Sequence, residues 1–234
     1  MKLFKKIKIS NLFFLSNLFF IITILLFAIF PKIDILISDL FFFNQKFISE
    51  EYTAIKSLRN YLKYIMIIFP IVCLVILLLD FVNKKQKVRA FLDKRTRFAL
   101  FGFIIGPIIG CGIIANLFFK ENWGRARPVH IQEFGGTKIF SNAFVKSDQC
   151  DRNCSWISGE TSAAFSFFVG TIILRNHYFI FLNFILGFLV FFCRLSMGGH
   201  FFSDNMFAAL FMLYLAFSYR YMFYFWLKKK FMRK

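Results

Sequence analysis

The sequence contains no linker, internal repeat or low-complexity segment that would divide its 234 residues. We therefore expect one domain over 1–234, with a motif-bearing core at about 98–227. Histidine and cysteine are also scarce, and no second pair of either type lies near Cys150 and Cys154. This scarcity argues against a metal site, and we expect no cofactor.

Acidic residues are few, with 12 Asp and Glu against 30 Lys and Arg, for a formal net charge of +18. A positive charge of this size would suit nucleic acid. The cations, however, gather at the ends of apolar blocks rather than on one helix face or in an RNA-binding motif. This distribution is typical of membrane proteins. The expected partner is therefore a lipid bilayer and not a nucleic acid.

Long apolar blocks dominate what the sequence does contain, with 59% hydrophobic residues, 39 Phe and a mean hydropathy of +0.64. A soluble fold of this length cannot bury so much apolar surface, so a polytopic membrane protein is predicted. Lipid offers no partner to an open backbone, which makes the expected fold class all-α. We expect a bundle of six transmembrane helices at about 12–30, 61–82, 98–119, 161–174, 178–193 and 205–227.

The first and third of these spans carry additional signals. The first follows a basic start, as a signal peptide does, but no small-residue cleavage site comes after it, so we expect a retained anchor. Gly102, Gly106, Gly110 and Gly112 recur along the third span. Small residues at this spacing predict close helix packing, with a partner either within the chain or in another subunit.

The count of Lys and Arg gives the bundle an orientation. With the N-terminus in the cytoplasm, the cytoplasmic segments hold 17 of these cations and two acids, and the opposite side holds 11 cations and ten acids. The positive-inside rule therefore favours both termini in the cytoplasm. Segments 31–60, 120–160 and 194–204 would then face outward. The first of them is expected to be an interfacial helix on the outer leaflet or a short amphipathic connector packed on the bundle.

A cluster of cations begins where the third predicted span ends. Lys120 is followed by Arg127 and Pro128, so these cations would lie at the water interface. Lys offers a point charge and Arg a planar fork, which together suit several phosphate oxygens. The alternative is ordinary interfacial snorkelling of the two side chains.

A second cluster lies between the last two spans. His200 and Asp204 are four residues apart and would share a helix face, so the carboxylate could hold one ring nitrogen protonated and leave the other free to attack. Arg194 precedes them, and Gly198 and Gly199 remove side chains where a headgroup must approach. The alternative is an interfacial histidine with Asp204 as a helix cap.

Ser158, Gly159 and Glu160 come immediately before the fourth predicted span. A hydroxyl and backbone N–H groups at a helix start are favourable for an anion. The alternative is a turn and N-cap, a role that Thr161 or Ser162 would fill as well.

Together the three segments resemble the type 2 phosphatidic acid phosphatase family, whose pattern is K-x6-R-P, then P-S-G-H, then S-R-x5-H-x3-D. The first and third parts agree with this sequence, except that Cys193 replaces the leading Ser. The middle part, at 157–160, lacks both its Pro and its His.

The resemblance implies a metal-independent phosphatase for phosphorylated lipids that works through a phosphohistidine intermediate. By the same resemblance, His200 would be the nucleophile and Asp204 would orient it. The phosphate-binding residues would be Lys120, Arg127, Arg194, Ser158 and Gly159. Arg125 matches no motif position but would add positive charge to the site.

Glu160 stands where the family has the histidine that protonates the departing alkoxide. A carboxyl could donate that proton only if burial raised its pKa from about 4.3, and nearby cations would oppose such a rise. Three hypotheses follow: a tuned general acid, a substrate-contacting residue in an enzyme that needs no acid, or a damaged enzyme.

Cys150 and Cys154 flank a short polar segment in the long outward loop. On an oxidising side of the membrane, a disulfide between them would pin the loop just before Ser158. Metal ligation is the rival hypothesis, although no further Cys or His pair lies nearby.

We therefore expect a bacterial inner-membrane lipid phosphatase whose site faces the periplasm. Its substrate would be a lipid phosphate monoester or diphosphate: lipid A, undecaprenyl diphosphate, phosphatidylglycerophosphate or phosphatidic acid. The basic, Phe-rich and Ile-rich composition suggests a bacterial chain, and the outward-facing site with a possible disulfide favours the first two. Lipid-to-lipid phosphotransfer by the same histidine, and non-catalytic binding or transport of lipid phosphates, are the alternatives.

Overall fold

A computed structural model of the chain describes residues 9–85 and 92–231. The described part is helical apart from loops and one small hairpin, and the hydrophobic cores lie between helices. The helices are α1 (Ile9–Ile29), α2 (Ile33–Asp39), α3 (Ile48–Glu51), α4 (Thr53–Lys85), α5 (Lys94–Pro107), a π-helix (Ile108–Lys120), α6 (Glu121–Trp123), two 3-10 turns (Pro128–His130, Gln132–Phe134), α7 (Gly159–Ser166), α8 (Phe168–Leu174), α9 (His177–Ser196) and α10 (Phe202–Phe231). The hairpin strands are β1 (Phe42–Phe43) and β2 (Lys46–Phe47), which pair antiparallel.

Within residues 9–85 and 92–231, four helical segments are long and apolar enough to cross a membrane: Thr53–Asn83, Lys94–His130, His177–Ser196 and Phe202–Phe225. The pair Phe13–Ile29 and Ile33–Asp39, bent by 88°, would make a fifth. The all-α membrane class is therefore confirmed, with four to five candidate spans.

The predicted fourth span consists of two short helices, α7 and α8. Together they cover Gly159–Leu174, which is shorter than the roughly 20 residues that cross a bilayer. They pack against α5, α9 and α10, and most of their side chains are buried. Because protein rather than lipid surrounds this segment, its length does not have to match the bilayer thickness.

Glycines let α5 and α8 approach until their backbones touch. A Cβ added at Gly102 would lie 2.9 Å from the Gly170 Cα, and one added at Gly170 would lie 2.6 Å from the Ala99 carbonyl oxygen. A Cβ at Gly106 would lie 2.5 Å from the Ser166 carbonyl oxygen. The sequence left open whether the glycine-bearing helix packs on a helix of the same chain or of another subunit. These glycines pack on α7 and α8 of the same chain.

Segment 31–60 is not a single interfacial helix. Instead α2, the β1–β2 hairpin and α3 connect α1 to α4 and pack on the end of the bundle. Phe47 is 1% exposed, with its ring centroid 5.3 Å from that of Phe134. It also lies against Gly198, where the positive φ of 58° and the Phe47 ring leave no room for a Cβ. The second expectation, a connector packed on the bundle, is therefore the observed one.

Candidate active site

The predicted motif segments meet at one end of the bundle. Lys120 ends the π-helix, Arg127 lies in the loop that follows, and Ser158 caps α7. Arg194 lies in the last turn of α9, and His200 lies in the turn between α9 and α10. The three motif cations all interact electrostatically with the His200 imidazole. The convergence that the motif spacing predicts is therefore present in the fold.

The His200 imidazole is almost fully buried, and one ring nitrogen has a defined partner. Nδ1 lies 2.7 Å from the Ser155 carbonyl oxygen. A carbonyl oxygen can only accept a hydrogen bond, so Nδ1 carries the proton and Nε2 keeps its lone pair. Burial, and then the positive charges led by Arg194, lower the pKa of His200 well below its ordinary value. At neutral pH the imidazole is therefore uncharged, as a nitrogen nucleophile requires.

Asp204 accepts hydrogen bonds from three groups around the ring. Ser155 donates through its hydroxyl, Phe201 through its backbone N–H at 2.8 Å, and Arg125 through Nη1 at 2.5 Å. The Asp204 Oδ2 lies 3.7 Å from His200 Nδ1, which is too far for a hydrogen bond. The structure thus gives the ring proton to the Ser155 carbonyl, while Asp204 fixes Ser155 and places a negative charge behind the ring.

Asn153 orients two of the predicted phosphate-binding cations. Lys120 Nζ donates to the Asn153 side-chain oxygen at 2.9 Å, and Arg127 donates to the Asn153 carbonyl from Nε at 3.1 Å and Nη2 at 2.8 Å. The structure joins Cys150 to Cys154 by a disulfide, which closes the loop that carries Asn153. The cross-linked loop therefore helps to direct both cations.

Arg194 is positioned to receive an anion. It is 5% exposed, and its Nε is buried with no hydrogen-bond partner among the described residues. Gly199 packs so closely that an added Cβ would collide with the Arg194 guanidinium. Beside it lies a cavity of about 310 Å³ lined by Arg127 and Arg152 as well as Arg194. Three guanidinium groups around one polar cavity suit a group with several anionic oxygens.

Glu160 is held by an arginine that the motifs do not include. Arg59 of α4 donates to both carboxylate oxygens, from Nε at 2.9 Å and from Nη2, and Arg194 Nη1 lies 3.6 Å away. Burial raises the pKa of Glu160, but the hydrogen bonds from Arg59 and the charge of Arg194 outweigh it and bring the pKa to about 2. At neutral pH the carboxyl has no proton to donate, which argues against the general-acid hypothesis.

Ser158 serves as the N-cap of α7, which is the role given above as the alternative to anion binding. Its hydroxyl accepts from the Thr161 N–H at 3.4 Å and donates to the Thr161 hydroxyl at 2.9 Å. Its own N–H donates to the Asp204 carbonyl oxygen at 3.2 Å, so it links α7 to α10. Gly159 lies beside Lys120, whose Nζ would be 3.2 Å from an added Cβ. The glycine therefore leaves space for the lysine head.

Arg125 is not among the residues that line the cavity beside Arg194, and its contribution of charge to the site stays a prediction. Its guanidinium is completely buried and forms ion pairs with Asp34 at 2.8 Å and Asp204 at 2.5 Å. Nε donates to the Ser141 carbonyl oxygen, and the group stacks 4.2 Å above the Phe201 ring. Two carboxylates already neutralise its charge, so it acts on the protein rather than on a ligand.

A neutral buried imidazole among lysine and arginine side chains, at the end of a bundle of apolar helices, defines the class of this protein: a membrane phosphatase that acts on lipid phosphates. The comparisons with known proteins agree. The sequence profile of the PAP2 superfamily matches residues 97–228, and the chain belongs to that superfamily.

Three curated relatives carry the same description, "Lipid A 4'-phosphatase". The protein of Francisella tularensis subsp. novicida is 34% identical over 79% of this chain and 83% of its own length. That of Rhizobium leguminosarum is 29% identical over 59% of this chain and 63% of its own. That of Rhizobium etli is 37% identical over 30% of this chain and 26% of its own. No solved structure is significantly similar to the chain.

Replacing Glu160 with Gln should strengthen phosphate binding without changing the pH profile of turnover. The change removes a negative charge that sits against Arg59 and Arg194, so we expect inorganic phosphate to inhibit about tenfold more strongly. Turnover of a lipid phosphate between about pH 5 and pH 8 should keep its shape, because Glu160 is already ionised there. Glu121→Gln, which changes the exposed acid that directly follows the π-helix, is the control. A turnover loss that is largest at low pH, and that shrinks as rising pH deprotonates the wild-type carboxyl, would instead identify Glu160 as the proton donor.

Proposed function

We propose that the chain hydrolyses a phosphate monoester of lipid A, the substrate named in the description of its relatives, through a phosphohistidine at His200. The chemistry depends on one observation above all: His200 is uncharged, with its proton on Nδ1 and its lone pair on Nε2. The choice of substrate depends on the 34% identity that extends over 79% of the chain.

In the first proposed step, His200 Nε2 attacks phosphorus and the bond from phosphorus to the lipid oxygen breaks. Lys120, Arg127 and Arg194 bind the phosphate oxygens, where positive charge offsets the charge that develops in the transition state. The attacking ring becomes cationic, and the Ser155 carbonyl and the nearby Asp204 carboxylate stabilise it at Nδ1.

The departing lipid oxygen must then gain a proton. Glu160 has none to give at neutral pH, because Arg59 and Arg194 hold it ionised. We therefore assign the proton to water at the open cavity beside Arg194, and we assign Glu160 the role of an anion that shapes the cation cluster. In the second step water attacks phosphorus, the bond to Nε2 breaks, inorganic phosphate leaves and His200 returns neutral.

The proposal also includes the topology and the location. Six membrane-embedded segments, with the α7–α8 pair as the fourth, would leave both termini in the cytoplasm and the site on the periplasmic face of a bacterial inner membrane. The excess of cations on the cytoplasmic side, 17 against 11, supports this orientation. The motif-bearing segments share one end of the bundle, as this arrangement requires.

A panel of lipid phosphates tests the proposal. The purified protein is incubated with lipid A bearing phosphates at both ends, undecaprenyl diphosphate, phosphatidylglycerophosphate and phosphatidic acid at equal surface concentration. We expect free phosphate and a lipid A that has lost its 4′-phosphate, identified by fragmentation in mass spectrometry. Phosphate found on a second lipid would show that the reaction is phosphotransfer and not hydrolysis. If lipid A stays unchanged while another lipid of the panel loses phosphate, the proposed substrate is wrong.

A further inference from the structure

Asp34 is a buried acid near the N-terminus, outside residues 97–228 that the family profile matches. It lies in α2, just after the 88° bend, and is 1% exposed. Its Oδ1 accepts from the Ser203 N–H at 2.8 Å, and its Oδ2 accepts from the Ser203 hydroxyl and from Arg125 Nη2 at 2.8 Å. A buried carboxylate with this many donors is held in one orientation.

Arg125 connects Asp34 to the centre of the candidate active site. While Nη2 faces Asp34, Nη1 donates to Asp204 Oδ1 at 2.5 Å and to the Ser203 hydroxyl at 2.9 Å. The other Asp204 oxygen, Oδ2, faces the Ser155 hydroxyl and lies 3.7 Å from His200 Nδ1. Buried contacts therefore run without interruption from α2 to the His200 ring.

Arg125 donates to two different carboxylates, and this division determines which oxygen of Asp204 stays free for Ser155. An arginine facing one carboxylate tends to bind it through two parallel N–H groups, one to each oxygen. Asp34 occupies Nη2, so Asp204 receives only Nη1, at Oδ1. Oδ2 is therefore left to the Ser155 hydroxyl, whose residue also supplies the carbonyl that orients His200.

We propose that Asp34 is a positioning residue for the phosphatase reaction: through Arg125 it keeps Asp204 Oδ2 directed at Ser155 and His200, so that the N-terminal segment completes the active site. The inference rests on the proposed phosphohistidine mechanism. Asp34 touches no reacting atom, and its effect reaches His200 through Arg125, Asp204 and Ser155.

The test compares Asp34→Asn with Asp80→Asn. Asp80 is likewise a buried acid, 3% exposed and paired with an arginine, Arg97, at 2.6 Å. It lies on α4 about 30 Å along the helix from Arg59, which marks the active-site end. We expect both variants to lose thermal stability in detergent. Asp34→Asn alone should lower kcat, by about 10- to 100-fold, with KM for lipid A phosphate changed less than about threefold.

Equal kcat values for the folded fractions of Asp34→Asn and Asp80→Asn would overturn the inference, as would a loss confined to KM. Should Asp34→Asn fail to fold, Ser203→Ala provides the second variant, because it removes the hydroxyl between Asp34 and Arg125 without changing any charge. We expect a kcat loss of about three- to tenfold for it, and an unchanged kcat would count against the inference.

A readout independent of turnover separates this inference from the proposed function. The ring nitrogens of His200, labelled with ¹⁵N and assigned with His200→Ala, report the proton on Nδ1 by NMR. We expect these shifts to move in Asp34→Asn and to stay in place in Asp80→Asn. If wild-type protein releases no phosphate from any lipid, the proposed function fails. If the ¹⁵N chemical shifts of His200 are the same in Asp34→Asn as in the wild type, the positioning role of Asp34 is wrong even if the enzyme is active.

Discussion

Replacing His200 with Ala is expected to reduce phosphate release from lipid substrates by about three orders of magnitude or more. The variant loses the nitrogen that would form the bond to phosphorus, while Lys120, Arg127 and Arg194 remain to bind the substrate. KM should therefore change much less than kcat. Single-turnover reactions with ³²P-labelled lipid, quenched in base where phosphohistidine survives, should show labelled wild-type protein and unlabelled variant.

The control is His177→Ala, which changes an exposed histidine at the start of α9, at the end of that helix remote from Arg194. It should leave both turnover and labelling intact. Labelled protein in the His200→Ala variant would show that another residue carries the phosphoryl group, and the phosphohistidine at this position would have to be abandoned.

The environment of His200 also sets a direction for the pH dependence. Its folded-state pKa lies well below 6.5, so the neutral nucleophile persists as the pH falls through 6.5. We expect kcat/KM to keep its value there and to decline only at lower pH. Stability behaves differently, because the unfolded chain takes up a proton on this histidine below 6.5 and the folded chain does not. His200 therefore lowers the free energy of unfolding as the pH falls below 6.5.

Local patterns in the sequence were sufficient to predict which cations and which histidine meet at one end of the bundle. Lys120, Arg127, Arg194 and His200 lie at the ends of apolar segments, and hydropathy with charge counting is enough to assign such ends to one face. The structure brings these ends together because α7, in the centre of the bundle, contacts α9, α10 and the π-helix.

Residues that act through distant partners could not be predicted in this way. Arg59 contacts an acid 101 positions away, and Asp34 contacts an arginine 91 positions away. No local spacing encodes such pairs. Asp34 did carry one signal, since it is an acid between Ile33 and Ile35 directly after an apolar block, and an ionisable residue in such a setting usually has a function. Arg125 matches no motif position, and one of its two carboxylate partners, Asp34, lies far from the motifs in the sequence.

The span count shows a related limit of hydropathy. The apolar segment 161–174 has the composition of a membrane helix, but whether lipid or protein surrounds it depends on α5, α9 and α10. The connector at 31–60 is a similar case. Its apolar residues suit either a membrane surface or a protein surface, and the structure buries Phe47 against the bundle.

Replacing Arg125 with Met is expected to destabilise the fold by about 3–5 kcal/mol, the largest loss of stability that we predict for a single substitution. The variant leaves Asp34 and Asp204 buried without the cation that both contact, so each carboxyl must either stay charged in a buried setting or take up a proton. Methionine fills part of the volume but neutralises neither carboxylate. Thermal unfolding in detergent, followed by circular dichroism, should show a much lower midpoint than for Arg97→Met, which leaves one buried carboxylate, Asp80, beside a partly exposed position.

A triple variant separates the charge from the packing. Adding Asp34→Asn and Asp204→Asn to Arg125→Met removes the two uncompensated charges and keeps side chains of similar size, so the midpoint should recover most of the loss. Turnover should not recover, because an amide at 204 places no negative charge behind the His200 ring. A triple variant as unstable as the single one would mean that Arg125 stabilises the fold by packing on Phe201. Recovery of stability without activity would mean that these buried charges serve the reaction more than the fold.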